Sequence, residues 1–162
     1  MATNMFLKFE NPSIKGSSTA PGHTDEIEVL SWNHGFAQPT SPTRSAGGSG
    51  TVELAAHQNF TFTKYLDQAT DDLLKVCWSG KQIGKANLSC YRADGHNDNK
   101  PVEYLRIVME HVVISNFSVS GGPGDLPVEN VSLDYGTVRY TYIDQRHGDS
   151  SVMHDLATKS VT

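Results

Sequence analysis

Between Asn59 and Lys81 the chain switches its hydrophobic period once, and that switch restricts the fold more than any other stretch. From Asn59 to Lys64, Phe60 and Phe62 alternate with Thr61 and Thr63, a period of two that buries one face of a strand. From Thr70 onward the spacing becomes helical, with Leu73, Leu74, Cys77 and Trp78 expected on one face. Thr70 is the expected N-cap, Asp71 and Asp72 sit against the positive end of the helix dipole, and Gly80 stops the helix in a left-handed turn. No second clear helical pattern occurs. One helix among strand patterns fits an antiparallel sandwich or barrel better than alternating βαβ units.

The strand signals run nearly end to end. Met5, Leu7 and Phe9 alternate with Phe6 and Lys8 in the first strand, and a Pro- and Gly-bearing loop follows over Asn11 to Gly22. In Glu26 to Phe36, Leu30, Trp32 and Phe36 are expected to pack inward while Ile27, Val29, Ser31 and Asn33 take the other side. That second side changes from apolar to small and polar along its length, which marks Ser31 and Asn33 as a candidate functional surface. Ala37 to Gly50 is too rich in proline, serine and glycine to pack and reads as a projecting loop, with a short strand expected at Thr51 to Leu54.

After the helix, Leu88 and Cys90 stand opposite Asn87, Ser89 and Tyr91, and the polar turn Asp94 to Lys100 makes this strand the first arm of a hairpin. Val102 to Val119 is too long for one ordinary strand, so a bend is expected near His111 or Asn116. Val128 to Ile143 is a second long extended stretch, with a bulge expected at Gly136. Asp144 to Thr162 is polar and weakly patterned, a loose tail. The expected architecture is mainly β: an antiparallel barrel or sandwich of about eight strands with one short flanking helix, occupying residues 1–143 with a polar tail over 144–162.

A chain of 162 residues is the size of one domain, and its formal net charge of −5 with scattered lysines and arginines offers no basic strip for nucleic acid. No apolar run is long enough to insert in a membrane, and the N-terminus lacks the basic start and apolar stretch of a signal peptide, so the chain is expected to begin in the cytoplasm. Cys77 and Cys90 lack metal-binding spacing and read as buried free thiols.

No residue pattern in the chain points to catalytic chemistry. The seven histidines show no spacing that predicts a metal site, and solvent-facing or hydrogen-bonded roles are favoured for them. Ser79-Gly80-Lys81 ends a helix where a phosphate-binding loop would begin one, and no serine sits in a G-x-S-x-G elbow. Asn59, Asn87, Asn116 and Asn130 each begin an Asn-x-Ser/Thr triplet, which alternation of small polar with apolar residues explains without glycosylation. Tyr135, Tyr140 and Tyr142 read as core or cross-strand packing rather than as a sugar platform. These spacings lead to no expected metal or cofactor site and no expected nucleophile.

The order of motifs resembles the haemolysin-coregulated protein family (Hcp), the inner-tube subunit of type VI secretion. The resemblance is carried by Ile27-Glu-Val-Leu-Ser-Trp-Asn-His-Gly35, by Phe62-Thr-Lys-Tyr-Leu-Asp67 with Ala69, Thr70, Leu73 and Leu74, by Val102-Glu-Tyr-Leu, and by Glu129-Asn-Val-Ser-Leu-Asp-Tyr135 with Val138 and Tyr142. It spans roughly Met5 to Tyr142. Asp71 departs from the family's frequent proline after the capping residue, and Ala37 to Gly50 matches no family pattern. The resemblance implies hexameric rings stacked into a hollow tube, expelled by a contracting sheath without a signal peptide, capped by a spike protein and able to hold small effectors in its lumen, a structural role in which the protein is not an enzyme. On that model Ser31 and Asn33, with Asn87, Ser89 and Tyr91 as a second group, are expected to face the lumen. Pro39, Thr40, Ser41, Pro42, Thr43 and Arg44 are the expected ring-stacking loop. A phage-like tail-tube protein, and a lectin-like ligand-binding β-sandwich with exposed aromatics, are the alternative readings.

Overall fold

A computed structural model describes residues 4–39, 55–93, 100–144 and 146–162. Its strands are β1 (Met5–Glu10), β2 (Ile27–Glu28), β3 (Ser31–Asn33), β4 (Phe36–Ala37), β5 (Ala56–His57) and β6 (Phe60–Tyr65), then, after helix α1 (Thr70–Ser79), β7 (Ile83–Ala93), β8 (Pro101–Ser120), β9 (Val128–Asp134), β10 (Thr137–Tyr142), β11 (Ser150–Asp155) and β12 (Ser160–Val161). Every pairing between these strands is antiparallel, as alternation with short polar turns predicts.

Strand β8 organises the molecule. Its first part pairs with β7 and β10, and from Val113 onward it pairs with β9. The first sheet therefore runs β12-β11-β10-β8-β7-β1-β2, and the second runs β3-β6-β9-β8. The bend expected in this stretch falls at His111, which adopts φ 55, and the register slips again between Ile114 and Asn116. A left-handed residue without glycine's freedom is uncommon and turns a strand sharply. Tyr135 and Gly136 make the matching turn between β9 and β10: Gly136 donates its N–H to the Glu110 carbonyl at 3.0 Å, and a Cβ on Gly136 would lie 3.3 Å from His111 Cβ. The bulge expected at Gly136 is thus a full break, since β9 and β10 belong to different sheets.

The Glu26 to Phe36 stretch is divided for the same reason. Ile27 pairs with Leu7 in the first sheet, whereas Ser31, Trp32 and Asn33 pair with β6 in the second, so the chain crosses between sheets at Val29 and Leu30. Trp32 packs against the core as expected and stacks on Phe60, but Phe36 is half exposed. Between the sheets lie Leu7, Phe9, Ile27, Phe60, Phe62, Leu88, Ile107, Met109, Val131 and Leu133, all without exposed surface.

Helix α1 packs against β8 through Leu73 and Val76, with Cys77 partly buried. The helix face departs from expectation at Trp78, which is 79% exposed because the packed stripe runs through Val76 instead. Thr70 also does not cap the helix with its side chain. Its hydroxyl donates to Glu129 Oε1 at 3.0 Å, and Asp67 Oδ1 accepts the Ala69 N–H at 3.0 Å instead. Gly80 ends the helix at φ 67 as predicted, a conformation that costs glycine little, and the Gly80 and Lys81 amides donate to the Cys77 and Val76 carbonyls.

The 144–162 stretch is not loose: β11 pairs along all of β10, and β12 pairs with β11, so this segment extends the first sheet. Its polarity reflects an edge position with one face in water. Thr51 to Leu54, expected as a strand, lies outside the described residues, as does most of the turn after β7.

Candidate functional site

On the outward face of the second sheet, two adjacent rows carry a single kind of chemistry, with Tyr65 and Asp134 at their flanks. Following the register across β3, β6, β9 and β8, one row reads Ser31, Thr63, Asn130, Ser118 and the next reads Asn33, Thr61, Ser132, Asn116. The alternating residues, among them Phe62, Val131 and Leu133, point into the core. Every side chain in the two rows is a hydroxyl or an amide, and none carries charge. Ser31 Oγ is hydrogen-bonded to Thr63 Oγ1, Thr61 Oγ1 lies 3.0 Å from Ser132 Oγ, and just beyond the rows Asn59 Nδ2 donates to Ser115 Oγ at 2.8 Å. Such a surface is hydrated, rigid at the backbone and free of strong electrostatic traps, and it makes hydrogen bonds without selecting for charge.

The second predicted group is elsewhere. Asn87, Ser89 and Tyr91 look out from β7 in the first sheet, on the side away from Leu88 and Cys90. Their neighbours across the ladders include Lys8, Phe6, Arg106 and Glu103, so this face is charged and mixed. Ser89 is buried, Asn87 Oδ1 is buried without a hydrogen-bond partner among the described residues, and Tyr91 packs edge-on against Phe6 and His23. Of the predicted stacking loop, Pro39 is exposed just beyond β4, while Thr40, Ser41, Pro42, Thr43 and Arg44 lie outside the described residues.

Behind the polar face, Lys64 and Glu129 form a cross-strand ion pair with no exposed side-chain surface. Lys64 Nζ also donates to Asp67 Oδ1 at 2.7 Å and to Tyr65 O at 3.1 Å, so the buried cation is surrounded by acceptors from the start of the helix and from β9. The alternation of β6 predicts that Lys64 points inward with Phe60 and Phe62, but a lysine signals solvent when composition alone is read.

At one end of the barrel five side chains form a continuous hydrogen-bonded chain that no sequence spacing assembles. Tyr140 OH bonds to His34 Nδ1, His34 Nε2 lies 2.7 Å from Tyr135 OH, Tyr135 OH lies 2.7 Å from His57 Nδ1, and His57 Nε2 lies 2.7 Å from His154 Nδ1. Burial lowers the His34 pKa to about 4, helped by the nearby His57, and burial followed by His154 lowers that of His57. Burial likewise pushes Tyr140 up to about 12 and Tyr135 upward, with Tyr140 and Asp134 adding to the latter. These histidines are hydrogen-bonded, as favoured from sequence. Tyr135 is core and Tyr140 partly so, while Tyr142 is half exposed. Burial also raises the Cys90 thiol to about 11, which keeps it protonated and unreactive.

The family model for "Type VI secretion system effector, Hcp" matches residues 6–142. A curated relative, protein hcp1 of Pseudomonas aeruginosa, is 37% identical over 147 residues, covering 90% of this chain and 86% of the relative. The major exported protein of the same species is 25% identical over 134 residues, covering 78% of this chain and 74% of its own. Among solved structures, Hcp1 from Salmonella typhimurium aligns with a TM-score of 0.80 at 30% identity over 100% of both chains. A type VI secretion system effector from Yersinia pestis aligns with a TM-score of 0.76 at 28% identity, over 93% of this chain and 98% of its own. With the barrel, the flanking helix and the motif order all shared across nearly the whole chain, this protein belongs to the Hcp family of type VI secretion system effector and tube proteins.

Proposed function

We propose that six copies of this chain close into a ring whose channel is lined by the hydroxyl and amide rows of the second sheet, and that these rings stack into the tube of the secretion apparatus. The observation that carries this reading is the pair of uncharged rows running from Ser31 and Asn33 across Thr61, Thr63, Asn130 and Ser132 to Asn116 and Ser118. Repeated around a ring, that face gives a wall that holds water and offers many weak hydrogen bonds, which suits varied protein cargo better than a charged or greasy wall would. Lateral closure also covers strand edges that would otherwise pair unproductively.

The role is structural, with export by passage through the apparatus, effectors as cargo, a sheath around the tube and a spike at its end. The segment beyond Pro39, bearing Thr40, Ser41, Pro42, Thr43 and Arg44, is assigned to contact between successive rings. Light scattering coupled to size-exclusion chromatography, followed by negative-stain microscopy, tests the assembly: six-fold rings with open centres are expected. A monomer at every concentration would refute it.

A further inference from the structure

We propose that copies of this chain join end to end by seating the Leu126 turn of one copy in an apolar, basic cleft at the opposite end of the next, an inference that rests on the ring-and-tube reading and names surfaces that connect one ring to another. Of the large apolar side chains open to water, six fall into two groups, each residue between 43% and 65% exposed. Phe36, Val152 and Val161 form the first group, around a cleft of about 650 Å³. Tyr65, Leu66 and Leu126 form the second. The Leu66 amide donates to the Pro127 carbonyl at 3.0 Å, which ties the turn carrying Leu126 to the end of β6.

The two groups lie at opposite ends of one strand. Strand β6 starts at Phe60, whose ring is 5.5 Å from that of His34, and the His34 ring is 4.4 Å from that of Phe36. It ends at Tyr65, a member of the second group. Its six residues, at about 3.4 Å per step, set the groups about 17 Å apart. Two different patches at opposite ends make a heterologous contact, which repeats from copy to copy along a line. A patch that met its own twin would leave the other group bare.

Charge separates the ends as well. Lys159 lines the cleft with His57 and His154, and among the described residues no carboxylate lines it and Lys159 has no ion pair. Around the second group the balance is reversed. Glu28 and Asp67 line it, Asp125 precedes Leu126 on the exposed turn, and no cation lines it among the described residues. Lys64, which pairs with Asp67, is buried and shared with Glu129, so one positive charge serves two negative ones. Contact between unlike ends brings Lys159 toward Asp125 and Glu28, whereas contact between like ends sets Lys159 against Lys159 or Asp125 against Asp125. Leu126, the most exposed of its group, supplies the apolar knob whose burial in the cleft favours the contact.

Analytical ultracentrifugation of the full chain across a concentration series, with negative-stain microscopy of the same samples, tests the contact. The natural chain is expected to pass from rings to stacks as concentration rises. Lys159→Glu and Asp125→Lys, each alone, should raise the concentration needed for stacking about tenfold while leaving ring mass and thermal melting unchanged. The double variant, whose opposite charges have exchanged places, should recover most of that loss. Leu126→Ser and Val161→Ser, on the two sides of the contact, should also raise the concentration needed, and they decide the case if a charge variant melts early. Rings that never stack, single variants that stack like the natural chain, or a double variant worse than either single one would overturn the proposal while leaving the ring reading in place. A chain that stays solitary at every concentration refutes the ring reading itself, and this contact with it.

Discussion

Lys64 on β6 and Glu129 on β9 face each other across an antiparallel ladder, ion-paired, with neither side chain exposed. Removing one partner leaves the other charge buried and unmatched, so Lys64→Met should cost about 3–5 kcal/mol. The double change Lys64→Met, Glu129→Leu should recover most of that loss. Urea unfolding midpoints measure both, and a single variant as stable as the parent would show that the pair contributes no net stability.

The position of Trp78 separates the helix's packed face from its wet one. Leu73 has no exposed surface and Trp78 is 79% exposed. Leu73→Ala should therefore destabilise by about 2–5 kcal/mol, whereas Trp78→Ser should change the unfolding free energy of the subunit by less than about 0.5 kcal/mol. The reverse order in denaturant titrations would place the core on the wrong side of the helix.

Stability should fall on acidification through a window set by His34. Its pKa is lowered from 6.5 in the unfolded chain to about 4 in the folded one, chiefly by burial. At pH 7 both states are neutral at this position. Below pH 6.5 the unfolded state takes a proton that the folded state refuses, so stability declines progressively until about pH 4. Thermal melts at closely spaced pH values should show this slope, and His34→Gln should flatten it.

Channel facing is tested by size and charge. Asn33→Arg projects a long cation from an exposed position on β3 and should leave rings intact while impairing retention of cargo in co-purification. Asn130→Arg, in the neighbouring row on β9, should do the same. Unfolding of the subunit, or unchanged cargo binding in both variants, would remove this face from the channel.

Deleting Thr40 to Gly48 should spare hexamers and abolish stacked tubes. Microscopy of the variant under conditions where the natural chain forms tubes gives the answer, and tubes of normal length would assign stacking to another surface.

Local patterns are the legible part of this chain. The alternation around Phe60 and Phe62, the glycine stop at Gly80 and the excessive length of the stretch through His111 each follow from short-range geometry, and each has its counterpart in the structure. The motif order extends that reading to the family. What sequence does not reach is pairing at long range. His34, His57, Tyr135 and His154 meet only because the turns after β3 and β9 converge with β5 and β11, and no spacing in the chain encodes that meeting. Periodicity misplaces Trp78 because a large aromatic weighs heavily in any apolar stripe, while the smaller Val76 fills the buried position. Ser31 and Ser89 show a similar limit: both are small polar residues in strands, yet the former is exposed on the second sheet and the latter is covered on the first.

The kink at His111 has a mechanical implication. Since one strand serves as a member of both sheets, sliding one layer over its neighbour would have to re-bend the backbone at His111 and break ladder hydrogen bonds as well as loosen side-chain contacts. The two layers are therefore coupled through continuous backbone and should yield to shear as one body.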